Sequence, residues 1–299
     1  MNPMIQNALI LIVILGFAGM EWVTRRYKDT VKATSNDTKL ELYMFLSLVA
    51  IAQPVTILAT NKLGLWLMPE YKGALADLPW WAMVGILLVA DDMTQYWWHR
   101  ASHSPLLWPL HRAHHTASYM SVRVTYRNNF FYYMLMPGLW LAGFALYFGF
   151  GLVYSIYVIT KLTVILGAHS AWRWDEPLYR IPALRPVMWV VQRTISTPAT
   201  HWAHHAITND DGIGHYKGNF GNLLFFWDVL FGTAHITQQY PAEVGLEGDK
   251  KYGHEQWNHQ MFFPVLQSSR AHSALRFGGA EYAAEETGAD NAAISPARP

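Results

Sequence analysis

The sequence contains no cysteine, which excludes disulfides, thiolate metal ligands, a thiol nucleophile and cysteine-ligated iron–sulfur clusters. Charge is also scarce. Asp, Glu, Lys and Arg make up 14% of the 299 residues, against about 25% in an ordinary soluble domain, and the net charge is only +1. A nucleic-acid partner, which needs a basic face, is therefore not expected. There is no glycine fingerprint for a dinucleotide either, since GIGHYKG does not fit GxGxxG. No internal repeat is apparent.

Long apolar runs replace the missing charge. Met4–Met20 is the first; it lacks a charged start and a small-residue cleavage site, so it reads as a retained span and not as a signal peptide. A second covers roughly Leu42 to Thr60. A third runs from Leu78 to Ala90 and continues through Asp91, Asp92 and Tyr96 to Trp98. From Phe130 to Ala168 the chain is almost wholly apolar, about twice the length of one span, with Gly149 and Gly151 near its middle as a bend. This is expected to be a hairpin of two spans or a deep re-entrant pair. Trp22, Trp80, Trp81, Trp97 and Trp98 sit at the ends of these runs, where amphipathic rings favour the membrane interface.

Basic residues set the orientation. Arg25, Arg26, Lys28, Lys32 and Lys39 follow the first span, whereas the next loop has Lys62 and Lys72, so the first loop is placed in the cytoplasm. Counting spans then puts 98–129 and everything after Ala168 on that same side, provided 130–168 is a hairpin. The expected fold is all-α: a polytopic membrane protein with four or five membrane helices and a cytoplasmic helical cap. It divides into N-terminal membrane helices (1–90), a catalytic region (91–240) that includes the hairpin 130–168, and a C-terminal extension (241–299). The last 30 residues of the extension lack apolar periodicity and read as a disordered tail. The expected location is a bacterial cytoplasmic membrane, with the active site on the cytoplasmic side.

Histidine is the conspicuous surplus, with fourteen residues, and eight of them fall in three clusters. These are His99 and His103; His111, His114 and His115; and His201, His204 and His205. The chance frequency of one His-x2-His-His is (14/299)³ per position, so two copies beside a His-x3-His are not accidental. Residues at i, i+3 and i+4 share a helix face, so each cluster is expected to aim its imidazoles at one point. Eight or nine nitrogen ligands exceed what one metal takes and suit two first-row metals with open positions. His169 is the expected ninth ligand and His215 a possible further one, while His235, His254, His259 and His272 lack partners at ligand spacing. Asp92, two helical turns before His99, is the candidate carboxylate behind a bound imidazole. Asp228, Arg127 and Asn128 are weaker candidates for bracing or orienting roles. Lys161, inside an apolar run, is expected to snorkel.

The segments DxxxYWWHRASH (Asp92 to His103), HRAHH, STPATHWAHH (Ser196 to His205) and NFGNLLFFWDVLFGT (Asn219 to Thr233) together resemble the fatty acid hydroxylase and sterol desaturase superfamily of histidine-box oxygenases. The resemblance covers about Asp92 to His235. It implies two iron ions that activate O2, a separate electron-donor protein of the ferredoxin or cytochrome type, and a fatty acyl, sterol or related lipid substrate met in the bilayer. Hydroxylation of a C–H bond is the favoured reaction, and desaturation at the same di-iron site is the alternative. A metal transporter is disfavoured because the clusters lie beyond the span ends. A zinc hydrolase would need fewer ligands and an identifiable carboxylate base.

Overall fold

The structure, a computed structural model, describes residues 3–24, 26, 33–270 and 273–278. The basic residues Arg25, Lys28 and Lys32, His272 and the expected disordered end of the chain lie outside these. The described residues are helical, with no strand among them beyond one isolated bridge between Ala206 and Val244.

Helix α1 (Pro3–Val23) and α2 (Ser35–Leu67) carry the first two apolar runs. The third lies in α3, three consecutive helical stretches, Trp80–Leu87, Leu88–Met93 and Thr94–Ser102, of which the middle one is a π-turn. Then come α4 (Trp108–His115), α5 (Phe130–Leu135), α6 (Pro137–Tyr147) and α7 (Gly151–His169). Beyond them lie α8 (Arg185–Thr194), α9 (Pro198–His204), α10 (Phe226–Phe231), α11 (Glu247–Tyr252) and α12 (Trp257–Phe262). Among the described residues, three helices are long and apolar enough to cross a membrane: Met4–Val23, Ser35–Leu67 and Gly151–His169. Their outward faces carry exposed apolar side chains such as Leu11, Ile12 and Leu15 on α1, Leu46 and Leu58 on α2, and Leu152 and Ile156 on α7. In water those faces would be costly to expose, which suits a lipid surround.

The long helices alternate in direction. At one end, Tyr147 donates to the Met68 carbonyl (2.8 Å), Gly73 N donates to the Tyr147 carbonyl, and the bend at Gly149 and Gly151 follows. Both glycines have positive φ, +98° and +37°, and a Cβ on Gly149 would come within 2.9 Å of Ala76. The expected bend therefore sits on backbone that favours glycine, and at Gly149 a side chain would also collide. Along the bundle, α6 lies close against α2. A Cβ on Gly143 would meet Thr60 Oγ1 at 2.0 Å, and one on Gly64 would meet the Tyr147 ring at 2.7 Å. Small residues let these two helices approach without a hydrophobic drive from water.

The other end of the bundle gathers the C-termini of α1, α3 and α7 and the N-terminus of α2. Glu21, buried at the end of α1, accepts from Val122 N, Ala171 N, Ser121 Oγ and Ser170 Oγ at 2.8–3.0 Å. Asp37 and Glu41 on α2 hold the buried Arg127 at 2.7 and 3.5 Å. All the histidine-bearing segments meet at this end.

Candidate metal centre

Each cluster sits where a helix stops. His99 lies in the last turn of α3 and His103 caps it, α4 ends on His114 and His115, α7 ends on His169, and α9 carries His201 and His204 with His205 as its cap. Thr197 starts α9 with a capping box, its hydroxyl accepting from Thr200 N while the Thr200 hydroxyl accepts from Thr197 N.

The nine expected ligands form two groups. His99, His103, His111, His115 and His204 bring one ring nitrogen each within 4.8 Å of one another, and so do His114, His169, His201 and His205. Neither triplet aims at one point, contrary to the expectation from spacing: His111 and His115 join the first group while His114 joins the second, and His201 and His205 join the second while His204 joins the first. Helix geometry explains the split. Adjacent residues are rotated by about 100°, so two neighbouring imidazoles diverge, while i and i+4 stay within about 40°. Each triplet therefore serves both groups.

The ring nitrogens inside each group approach at metal-ligand spacing. Nε2–Nε2 separations are 3.0 Å for His99–His204, 3.3 Å for His111–His115, 3.2 Å for His114–His169, 2.9 Å for His169–His201 and 3.2 Å for His201–His205. Two ligands at right angles on a metal about 2.1 Å away lie about 3.0 Å apart. The outward nitrogens meet acceptors. His99 Nδ1 donates to the Phe220 carbonyl and His204 Nδ1 to the Gly218 carbonyl, both at 2.7 Å, His169 Nδ1 to the Ile165 carbonyl at 2.8 Å, and His111 Nδ1 to Asn128 Oδ1 at 2.9 Å. A carbonyl can only accept, so His99 and His204 carry their protons on Nδ1. Their Nε2 lone pairs then face each other at 3.0 Å with no proton between them. That contact is repulsive unless a cation sits to one side of it, within reach of both nitrogens. His103 Nε2 and His114 Nδ1 are, in addition, buried without a hydrogen-bond partner. Burial, reinforced by neighbouring imidazoles, holds the pKa values of His103, His115, His204 and His205 well below 6.5, so these rings are neutral and able to ligate.

The segment 218–233 orients His99 and His204 of the first group. Asn219 adopts a left-handed φ of 57° and is pinned by its amide to the Thr200 and His235 carbonyls, which turns the flanking carbonyls of Gly218 and Phe220 onto His204 and His99. Asp228 braces the same turn through Phe220 N (2.8 Å) and Gly221 N (2.6 Å). Asp92 differs from expectation. Its carboxylate accepts from Leu223 N, Leu224 N and Trp227 Nε1 at 2.9–3.3 Å, and the imidazole of His99 is held by the Phe220 carbonyl instead. Asp92 therefore acts on the turn that presents the carbonyl. His215 stands outside both groups, its ring against His235 with centroids 5.1 Å apart. Lys161 does not snorkel; it pairs with Asp91 at 2.6 Å.

Several supporting residues had no signal in the sequence. Asp249 of α11 pairs with the buried Arg112 of α4 at 2.7 Å, and Gln260 of α12 accepts from Thr116 at 3.1 Å, so the C-terminal extension braces the helix that carries three ligands. A cavity of about 800 Å³ reaches His99, His111, His114 and His169 from between apolar residues of α1, α2, α6 and α7.

The chain matches the fatty acid hydroxylase family over residues 84–233. That span is half the protein and contains every one of the nine clustered histidines. The chain belongs to the fatty acid hydroxylase family. Among curated relatives, alkylglycerol monooxygenase of Danio rerio is 28% identical over 166 residues, 52% of this chain and 30% of that protein. The Homo sapiens alkylglycerol monooxygenase is 28% identical over 188 residues, 58% of this chain and 35% of that protein. Protein CER1-like 2 of Arabidopsis thaliana is 24% identical over 204 residues, 64% and 31% respectively. The chain thus spans about a third of the length of the curated relatives it matches. No solved structure matches. Within this fatty acid hydroxylase chain, the described residues outside 84–233 supply cavity walls from α1 and α2 and braces from α11 and α12.

Proposed function

We propose that this chain is a membrane-embedded di-iron monooxygenase that hydroxylates a C–H bond of a lipid-like substrate. The observation that carries the reading is the facing pair of unprotonated nitrogens on His99 and His204, repeated as a two-group set of nine imidazoles. His99, His103, His111, His115 and His204 would hold one metal and His114, His169, His201 and His205 the other. Iron suits the site over zinc because oxygen insertion needs a metal that changes oxidation state, and bound iron would supply activation of O2.

The protein's own part is positioning and exclusion. Carbonyls of Gly218, Phe220 and Ile165 and the Asn128 amide fix ring orientation and tautomer, which raises ligand basicity. Buried apolar walls keep bulk water from the reacting carbon, and the cavity holds the substrate chain against the histidine groups. The balance is one O2, two electrons and two protons per hydroxyl group formed and water released. With neither cysteine nor a dinucleotide fingerprint, the electrons come from a separate ferredoxin- or cytochrome-type protein. Hydroxylation is preferred to desaturation because two of the relatives carry monooxygenase in their names.

The catalytic region is drawn at 91–240 with the hairpin 130–168. Five rods, α1, α2, α3, the α5–α6 pair and α7, stand in the bilayer, with α4 and α8–α12 as a cap on the cytoplasmic side. The test combines metal analysis with lipid mass spectrometry. Purified protein should hold about two irons, and membranes containing it should accumulate a lipid that has gained one oxygen atom from isotope-labelled O2. A product that has lost two hydrogens and carries no label would replace hydroxylation by desaturation; stoichiometric zinc with no oxidised lipid would end the oxygenase reading.

A further inference from the structure

The cavity is not uniformly apolar. Asp91 on α3 and Lys161 on α7 meet across it at 2.6 Å, with 10% and 12% of their side chains exposed, and both line the cavity. Tyr157 donates to the same oxygen, Asp91 Oδ2, at 2.7 Å. Asp91 Oδ1 accepts no hydrogen bond from the described residues, and Lys161 Nζ, which also lies 5.7 Å from the Tyr157 ring centroid, makes one hydrogen bond to them and so has donor capacity to spare. Gln95 and Tyr154 line the cavity beside them. Space is kept open there: a Cβ on Gly138 would come within 2.8 Å of Asp91 Oδ1 and 3.2 Å of Gln95 Oε1.

A buried ion pair is a poor way to join two helices, because its desolvation cost often exceeds the attraction. Polar groups at membrane depth more often mark a ligand path. Two helices give the same distance from the histidines. Asp91 is eight residues before His99, and Lys161 eight before His169, so the pair stands about 12 Å along both helix axes from the metal groups.

We propose that Asp91 and Lys161 form the head-group subsite of the substrate cavity and select an uncharged, hydrogen-bonding amphiphile, a lipid alcohol in chemical class. The pair has no net charge, so an ionic head group would find no unpaired counter-charge. A hydroxyl both donates and accepts, and the subsite offers Asp91 Oδ1 as acceptor beside Lys161 Nζ as donor. An alkyl chain anchored there extends along the apolar wall towards His99 and His169. The assignment rests on the reading of this cavity as the substrate's, and deepens it.

The test is binding, which needs neither iron nor turnover. Full-length protein in lipid nanodiscs is given tritiated 1-hexadecanol, competed by hexadecanoate, hexadecyltrimethylammonium or hexadecane. Wild-type protein should prefer the alcohol by about tenfold or more, the effect of one hydrogen bond. Asp91→Asn leaves the Lys161 cation unpaired and should invert the order, so that hexadecanoate outcompetes hexadecanol. Wild-type protein that binds hexadecane or hexadecanoate as tightly as hexadecanol overturns the proposal, and so does an unchanged order in folded Asp91→Asn. If Asp91→Asn fails to accumulate, the wild-type competition decides alone. Metal content measured on the same samples separates the two readings: metal-free protein with the alcohol preference intact sinks the di-iron site and leaves the subsite standing.

Discussion

A histidine in this protein is defined less by being histidine than by what its second nitrogen touches. His204 and His215 are eleven residues apart in the same region, yet only His204 has its Nδ1 on a carbonyl and its Nε2 against another imidazole. His215 packs on His235. His204→Ala should therefore lower bound metal and reduce turnover by more than about 100-fold, the upper end for loss of an outer-shell partner. His215→Ala should keep both. Metal per chain by mass spectrometry, measured beside turnover, checks this, and full metal in His204→Ala would refute the grouping. The three clusters and the solitary His169 were readable from sequence because helical spacing and span length placed them. Asn219 and Glu21 were not: their roles depend on a left-handed backbone and on loops about a hundred residues away.

At the scale of elements, α4 is the most demanding piece. It is eight residues long, yet it feeds His111 and His115 to one group and His114 to the other. The rotation of about 100° per residue is what allows this, and it makes the helix intolerant of register changes. One Ala inserted after Ala113 should move His114 into the place of His115, which keeps an imidazole on the first group, and leave Ala in the place that faces the second, so that the second group loses its metal while far-ultraviolet dichroism stays helical. Metal analysis of the variant gives the answer; retention of both metals would mean that α4 does not set the geometry. The brace on α4 comes from far along the chain, through Arg112 with Asp249 and Thr116 with Gln260.

For the whole molecule, two consequences follow from where the histidines are buried. The folded pKa values of His103, His115, His204 and His205 are depressed below the 6.5 of an unfolded chain. Between 6.5 and those lower values the unfolded state binds more protons than the folded one, so stability rises with pH in that window and is lost as pH falls below 6.5. Each such ring contributes a slope of up to about 1.4 kcal/mol per pH unit. Metal-free protein should show a melting temperature that drops steadily from about pH 6.5 downwards; a flat profile there would contradict the burial of neutral rings. The second consequence concerns the membrane. Reporter fusions in the loop 103–107 and after Ser170 should report one side, and a fusion within 72–78 the other. Disagreement between the first two would separate the histidine groups across the bilayer and break the shared site.

The sequence alone determined the inventory: an apolar helical chain, no thiol chemistry, three histidine clusters, a glycine bend between two apolar arms, and a resemblance carried by residues 92–235. These are local properties, fixed by periodicity, run length and spacing. Tertiary structure decided the rest. Which imidazoles share a group depends on the rotation of α4 and α9 relative to one another. The contact that holds His99 depends on a turn more than a hundred residues downstream, to which Asp92 is bound in place of the imidazole. Lys161 reads as a snorkelling cation in one dimension and as half of an ion pair in three, because its partner comes from a helix seventy residues away. Spacing along one helix fixes direction on that helix only; convergence between helices is set by packing, which no single segment encodes.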